Sequence, residues 1–245
     1  MDSVMATIHQ CMQRGERPLS VIDVIKKELI TLNQAAWLIS RIGAGSSWLI
    51  GAVPSHAGKT TLMSALLVFL EDGQQVTLAR AGLPWESFGQ GSFVVSEEIS
   101  GHGREVYLWG EDVRGFTTIP ARSGRIAATI HANTLDQVRE QVSRGCGAGE
   151  SGVASFGIFI PIDVEFAPES LEDAPSLQEG RRRRTVSSRT VEFIHYYEED
   201  NWKGIDREVK LTRQQDSIAD FLRSCLESGI CNCEALREAW LARRG

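Results

Sequence analysis

The sequence lacks any long hydrophobic run. Its 245 residues contain no stretch that approaches the ~18 consecutive apolar residues of a membrane-spanning helix. The N-terminal residues also lack the basic segment followed by an apolar segment that marks a secretory signal peptide. These absences disfavour membrane-spanning and secreted proteins, and the sequence predicts a cytoplasmic one.

Cysteine is scarce and basic charge is not in excess. Five cysteines, an odd number without framework spacing, fit a reducing compartment. Cys225, Cys231 and Cys233 lie close together, but no second Cys or His pair stands near them in sequence, which favours buried thiols on a C-terminal helix over a metal or redox site. The net charge of −6 disfavours a dedicated nucleic-acid-binding protein, although residues 181–184 are a run of four arginines.

The order of patterned segments predicts an α/β fold. A length of 245 residues, with 42% hydrophobic and 24% charged residues, suits one medium-sized domain with a small appendage. Apolar spacing predicts a helical lead-in over 1–45, an α/β core over 46–210 and a C-terminal helical segment over 211–245. Within the core, strands alternate with helices, which indicates a mostly parallel sheet flanked by helices. The predicted strands are 46–52, 74–80, 91–99 and 126–130, and the predicted helices are 60–72 and 135–143.

The second half of the core contains less regular patterns. Residues 156–166 are rich in strand-forming residues, and the polar, acidic segment 168–180 predicts a solvated hairpin loop. Residues 181–199 predict the return strand, in which the arginine run lies. The tail predicts two short helices, one around Phe221 and one over 236–241.

Residues 49–70, LIGAVPSHAGKTTLMSALLVFL, predict a strand, a loop and a helix. A loop of this kind that ends in Gly58-Lys59-Thr60 binds phosphate, because backbone amides at the helix N-terminus face the anion, the lysine reaches the terminal phosphates and the hydroxyl binds Mg²⁺. Val53 stands where such loops open with glycine, and Pro54 has no N–H to offer. The alternative is a coincidental GKT in a strand-to-helix turn. We predict a nucleotide-binding loop that consists of Ser55, His56, Ala57, Gly58, Lys59, Thr60 and Thr61.

Polar residues end two later strands. Glu97 and Glu98 close the apolar segment FVVSEEI, and nucleotide hydrolysis needs a carboxylate there to orient water and to hold Mg²⁺. We predict Glu98 as the residue that polarises water, and Glu97 with Thr60 as the Mg²⁺ site, through water. The alternative is two glutamates that begin a surface loop. His131 follows the strand IAATI, where a side chain would face a ligand crevice, although a lone histidine is as often structural.

Several of these segments, taken in order, resemble the secretion traffic ATPases, which drive type II and type IV secretion, type IV pili and archaeal surface filaments. The likeness extends from about Pro18 to Ile194 and is greatest to the archaeal branch. The segment FVVSEEISG resembles the family's Walker B segment, with Glu98 as the catalytic glutamate, and AATIHAN resembles its His box, with His131 as the histidine. PIDVEF and GRRRRTVSSRTVEFI resemble the closing strand pair. The resemblance implies a RecA-like P-loop NTPase fold, ATP and Mg²⁺ as ligands, and His131 as a sensor of the terminal phosphate.

The chain also departs from the family pattern. Ala79 and Arg80 stand where the family's acidic box has carboxylates, and Ser100 stands where it has arginine. The loss of such groups from a phosphoryl-transfer site typically costs ~10²-fold or more in rate each, whereas binding suffers less. The resemblance therefore implies a reduced, divergent member that binds nucleotide and hydrolyses it weakly.

Two functions remain open at this point. The first is an ATPase built on Lys59, Thr60, Glu98 and His131. The second is a non-catalytic scaffold or regulatory partner of a full-length secretion ATPase. The family implies secretion or filament-assembly components at the membrane face as partners. Hexameric rings are usual in the family, but the oligomeric state of this chain is open. The acidic net charge predicts no specific nucleic-acid partner. The choice between ATP and GTP is open.

Overall fold

The structure, a computed structural model, describes residues 2–11, 17–103, 105–167 and 186–244. The fold is a mixed, mostly parallel β-sheet flanked by helices, as the sequence predicts, and it is compatible with a Rossmann-like or RecA-like arrangement. The helices are α1 (Ser3–Cys11), α2 (Val21–Lys26), α3 (Leu32–Gly43), α4 (Lys59–Leu67), α5 (Glu111–Thr117), α6 (Leu135–Val138), α7 (Gly149–Ala154), α8 (Arg213–Glu227) and α9 (Cys233–Arg244). The strands are β1 (Trp48–Gly51), β2 (Val76–Leu78), β3 (Phe93–Ile99), β4 (Tyr107–Leu108), β5 (Arg125–Ile130), β6 (Ile158–Pro161), β7 (Asp163–Phe166), β8 (Val186–Thr190), β9 (Phe193–Glu198) and β10 (Asn201–Asp206).

Within the described residues the main sheet has eight strands, in the order β10-β9-β6-β1-β5-β3-β2, with β4 paired to β3. The strands from β6 to β2 run parallel, whereas β9 and β10 are antiparallel additions at one edge. A separate antiparallel pair is formed by β7 and β8. In this order β5 lies between β1 and β3, so the carboxyl ends of these three strands are neighbours.

Alternate residues of the central strands enter two different hydrophobic clusters. Trp48 and Ile50 of β1 belong to the cluster formed with α1–α4, α8 and α9, whereas Leu49 belongs to the cluster formed with α5–α7. Successive side chains of a strand point to opposite faces, so helices cover both faces of the sheet. The N-terminal and C-terminal helices pack on the same face as α4.

Three of the described helices begin with capping boxes, whereas α4, α5 and α7 begin without a side-chain cap. Ser20, Thr31 and Thr212 cap α2, α3 and α8, each within a capping box. In contrast, α4 begins after Gly58, which has a φ of 98° and provides no side-chain cap. The N-terminus of α4 is therefore open to another partner.

Buried Arg237 of α9 completes the other end of α4. Its guanidinium donates hydrogen bonds to the backbone oxygens of Val68 and Leu70, both at 2.9 Å, and pairs with Asp2. An arginine with 2% of its surface exposed is stabilised only when its donors are satisfied in this way. Arg237 thereby attaches α9 to the helix that follows the loop.

Most of the predicted elements are present, but several differ in extent and some observed elements were not predicted. The helix predicted to reach residue 72 ends at Leu67, and the helix predicted over 135–143 is α6 followed by a π-helical segment, Arg139–Gly145. The predicted return strand is two strands, β8 and β9. The elements that were not predicted are β4, β10, α5 and α7. The predicted loop 168–180 and the arginine run 181–184 lie outside the described residues. None of the described helices has the length and apolar character needed to cross a membrane.

Candidate functional site

Three of the predicted site residues converge where β1, β3 and β5 end. Lys59 follows the loop after β1, Glu98 lies near the end of β3, and His131 directly follows β5. Lys59 Nζ lies 3.5 Å from Glu98 Oε2, and His131 Nε2 lies 3.9 Å from the same oxygen. The strand order explains this meeting of residues that are far apart in sequence. The site lies at the carboxyl ends of parallel strands, where open α/β sheets bind ligands.

The loop after β1 has left-handed backbone at two residues shortly before α4. His56 and Gly58 adopt left-handed conformations, with φ of 65° and 98°. The first hydrogen bond of the α4 ladder runs from Leu62 N–H to Gly58 O, at 2.9 Å. The amides of Lys59, Thr60 and Thr61 precede that bond, and helix amides in this position are available to an anion.

The exposures of the remaining loop residues are also consistent with a cradle. Ser55 and His56 are exposed, Ala57 is buried, and Gly58, Thr60 and Thr61 are half-buried. The structure does not show which loop atoms would contact a nucleotide, so the assignment of these residues stays a prediction.

Val53 is accommodated without left-handed backbone. Its φ is not positive, which suits a β-branched residue that precedes proline, because both features favour extended backbone. Both backbone groups of Val53 are bound by the segment after β5. Its N–H donates to Asn133 Oδ1 at 2.7 Å, and its carbonyl oxygen lies 3.0 Å from His131 Nδ1. His131 and Asn133 together bind both backbone groups of Val53 at the start of the loop, and we call these two residues the clamp.

The clamp is itself held by the turn that follows β5. Gln137 Oε1 accepts a hydrogen bond from Asn133 N–H, and Gln141 Nε2 donates to His131 O, both at 2.7 Å. Gln141 lies in the π-helical segment, a geometry that is frequent at functional sites. Thr134 rather than Asn133 caps α6, so the Asn133 side chain is left to bind the loop.

Lys59 and Glu98 form a buried ion pair. Their side chains are 7% and 11% exposed. Burial lowers the pKa of Lys59, and the nearby Glu98 carboxylate opposes that effect. The second oxygen, Glu98 Oε1, is buried and has no hydrogen-bond partner among the described residues. A buried carboxylate oxygen without a partner is costly in a structural ion pair, and it marks a group that a ligand or water can use.

A β-bulge sets the direction of Glu98. Ser96 pairs with Ala128 and Ile99 pairs with Ile130, so Glu97 and Glu98 together oppose Thr129. Thr129 Oγ1 donates a hydrogen bond to Glu97 O. Bulges redirect side chains next to active sites, and this one turns Glu98 toward Lys59. Glu97 is half-buried, and its predicted contact with Mg²⁺ stays a prediction.

His131 has a defined tautomer. A carbonyl oxygen can only accept a hydrogen bond, so the ring nitrogen beside Val53 O, Nδ1, carries the proton. Nε2 then faces Glu98, and about a third of the side chain is exposed. His131 thus contacts the loop on one side and the carboxylate on the other.

Ala79 and Arg80 directly follow β2, and Ser100 directly follows β3. Ala79 is buried and donates its N–H to Val95 O at 2.7 Å, while Arg80 is exposed. Ser100 is buried, and its N–H binds Leu108 O at 3.0 Å. None of these residues adds a carboxylate or an arginine to the converging group.

The cysteine cluster lies in the C-terminal helical region. Cys225 and Cys233 are buried and Cys231 is half-buried, and all three are free thiols. Burial raises the pKa of Cys233 to about 12. The part of the chain that the structure describes contains no group of three or more His, Cys, Asp or Glu side chains placed to hold a metal ion.

Comparison of the chain with protein-family models gave no match, and comparison with curated proteins gave none either.

Proposed function

We propose that the protein binds ATP with Mg²⁺ at the loop between β1 and α4, as a P-loop NTPase of RecA-like fold, and hydrolyses it weakly. The convergence of Lys59, Glu98 and His131 carries the proposal, because a coincidental GKT gives no reason for the lysine to meet a buried carboxylate on β3, a strand that β5 separates from β1. The resemblance to the secretion traffic ATPases supports the same activity.

The residues present fit the ligand. The open N-terminus of α4 and the buried lysine would bind the phosphates, and the Thr60 hydroxyl would bind Mg²⁺. Mg²⁺ usually keeps several waters and binds to phosphate oxygens together with one or two protein groups, so it does not require a cage of carboxylates. When bound, Mg²⁺ neutralises charge on the phosphates.

The unpaired oxygen of Glu98 supports a role in activating water. Oε1 is buried and without a partner, so it can accept a hydrogen bond from a water molecule at the phosphate end of the site. Phosphates that bind Lys59 would compete with Glu98 for the lysine and leave the carboxylate free to act as a base. Weak turnover is expected because Ala79, Arg80 and Ser100 supply no further carboxylate and no transition-state arginine at the positions where the family has them.

The experiment is titration of the purified protein with a fluorescent ATP analogue and Mg²⁺, with phosphate release followed in the same sample. Saturable binding that is lost in Lys59→Ala supports the proposal, and slow phosphate release that is lost in Glu98→Gln assigns the carboxylate. Absence of binding to the wild-type protein would refute it. Phosphate release that persists in Lys59→Ala would indicate a contaminating enzyme.

A second candidate is a nucleotide-gated scaffold or regulatory partner of a full-length secretion ATPase. The ion pair favours it in one respect, since Glu98 is engaged with Lys59 and two acidic-box positions are Ala79 and Arg80. Binding without phosphate release, together with association with a full-length motor in light scattering, would support the scaffold. A homohexamer with phosphate release would support the motor instead.

A further inference from the structure

Arg189 of β8 lies against the nucleotide-binding loop, although it follows Lys59 by 130 positions in the sequence. Its Cδ is 3.9 Å from the point that a Cβ would occupy on Gly58, the left-handed residue that precedes Lys59. Leu29 Cδ2 lies equally close to that point. The stem of the arginine therefore lies beside the residue that precedes α4, and the guanidinium is joined to that stem through Nε.

The position of Arg189 is fixed by the hydrogen bonds at the end of β8. Val191 N–H donates to Leu29 O at 2.8 Å, and Gln34 Nε2 donates to Val191 O at 2.9 Å. These bonds attach the strand end to the turn between α2 and α3. Because Leu29 also contacts the loop, the same turn sets the distance between β8 and Gly58.

The face of the β7–β8 pair explains why Arg189 is available. Arg189 is opposite Val164, whose side chain packs on the core, whereas Asp163 and Glu165 are opposite Thr190 and Ser188. Residues that are opposite one another in an antiparallel pair share a face, so both carboxylates of β7 point to the other face. No carboxylate among the described residues forms an ion pair with Arg189, and its side chain is exposed.

Lys59 and Glu98 together provide no net positive charge for a nucleotide. Glu98 balances Lys59 in the protein without ligand, so the two together present no net charge to a nucleotide that carries several negative charges. A guanidinium that approaches the phosphates would form charge-assisted, bidentate hydrogen bonds with their oxygens. The expected arginine after the Walker B glutamate is Ser100 here, and Arg189 could supply a cation from another element of the same chain.

We propose that Arg189 is a phosphate-binding residue of this site and contacts the β- or γ-phosphate of the bound nucleotide. The inference rests on the proposed function, since it assigns a second cation to the same nucleotide. Arg189 would act in cis, so the site of each chain would hold this arginine without a neighbouring subunit.

The test measures the affinity of a non-hydrolysable ATP analogue with Mg²⁺, and of AMP, for the wild-type protein and four variants. The variants are Arg189→Ala, Arg189→Lys, Lys59→Ala and Arg223→Ala. Arg223 is an exposed arginine of α8 that pairs with Asp220, so its removal controls for the loss of one positive charge. Thermal unfolding without nucleotide is measured for each variant, to establish that it is folded.

We expect Arg189→Ala to weaken the ATP analogue about tenfold or more, which is what hydrogen bonds between charged groups typically contribute. Arg189→Lys should recover part of the loss, since it keeps the charge and loses the fork geometry. AMP binding should change little in either variant, and Arg223→Ala should bind the ATP analogue like wild type.

Two results would overturn the inference and leave the proposed function standing. One is Arg189→Ala that binds the ATP analogue like wild type while Lys59→Ala does not. The other is equal weakening of AMP and the ATP analogue, which would place Arg189 at the α-phosphate, the ribose or the base, all of which the two ligands share. Failure of the wild-type protein to bind either nucleotide would refute the proposed function itself, and this inference with it.

Discussion

Lys59 and Glu98 should have a large coupling energy in the free energy of unfolding, even without nucleotide. At a separation of 3.5 Å, two unit charges attract by about 5 kcal/mol if the effective dielectric constant is about 20. Part of this attraction only offsets the cost of taking both charges out of water. Removal of one partner nevertheless leaves the other charge buried and unpaired, which typically costs about 3–5 kcal/mol.

Glu98→Gln keeps the shape of the side chain and removes its charge. Burial then acts on Lys59 without opposition, and the pKa of Lys59 falls further below its usual value of 10.5. Partial movement of the lysine side chain toward water reduces the loss of stability, so we expect Glu98→Gln to lower the free energy of unfolding by about 2–4 kcal/mol. The Lys59→Met/Glu98→Gln double variant should lose less than the sum of the two single variants, because it leaves neither charge unpaired.

The assay is urea unfolding of the wild-type protein, both single variants and the double variant, which together give the coupling energy. A matched cycle on Lys203 and Glu199, an ion pair at 2.6 Å on the exposed β9–β10 hairpin, provides the control. Exposed pairs couple by about 1 kcal/mol or less. If the coupling of Lys59 with Glu98 is no larger than that of the control, the two side chains do not form a buried pair, and the competition argued for the nucleotide phosphates loses its basis.

Three further predictions concern the clamp, a half-buried histidine and the end of α4. Asn133→Leu leaves Val53 N–H without its acceptor, so nucleotide affinity should fall roughly tenfold, whereas Asn133→Asp, which retains an acceptor oxygen, should lose less; equal affinities of Asn133→Leu and wild type would contradict the clamp. Burial lowers the pKa of His195, so the folded protein favours the neutral imidazole. The stability that depends on the neutral ring is fully present above the usual pKa of 6.5 and is lost as the pH falls through the lowered pKa. The urea midpoint should therefore fall less in His195→Phe than in wild type when the pH is taken from above 6.5 to below it. An equal fall in the two proteins would contradict the role of His195. Arg237→Leu removes the donors from the last carbonyls of α4 and should cost about 2–4 kcal/mol in urea unfolding; a loss below about 1 kcal/mol would mean that water replaces the guanidinium.

The sequence was most informative where local chemistry decides the structure. The alternation of apolar segments and turn residues predicted the strand, loop and helix around Lys59, because buried parallel strands and helix starts have strong local signals. Glu98 and His131 could be placed at strand ends for the same reason. That they meet Lys59 could not be predicted from the residues alone, since it depends on β5 lying between β1 and β3.

Features that depend on distant contacts were missed. The bulge at Glu97 and Glu98 arises from register against β5, and nothing in FVVSEEI specifies it. The hydrogen bond between Asn133 and Val53 also has no local signal, because it depends on the packing of the segment after β5 against the loop after β1. Arg189 gave no signal, because its importance follows from the packing of β8 beside the loop.

The substitution at Val53 shows how the loop can depart from the usual pattern and keep its geometry. A glycine at this position gives access to left-handed backbone, but here the left-handed residues are His56 and Gly58, so Val53 does not need that freedom. Two hydrogen bonds, from Val53 N–H to Asn133 Oδ1 and from His131 Nδ1 to Val53 O, attach the entrance of the loop to the segment after β5. His131 lies in the clamp and also faces Glu98, so a ligand that moves Glu98 away from Lys59 would change the surroundings of the residue that holds the loop. We therefore expect the conformation of the loop to respond to the position of the Glu98 carboxylate through His131.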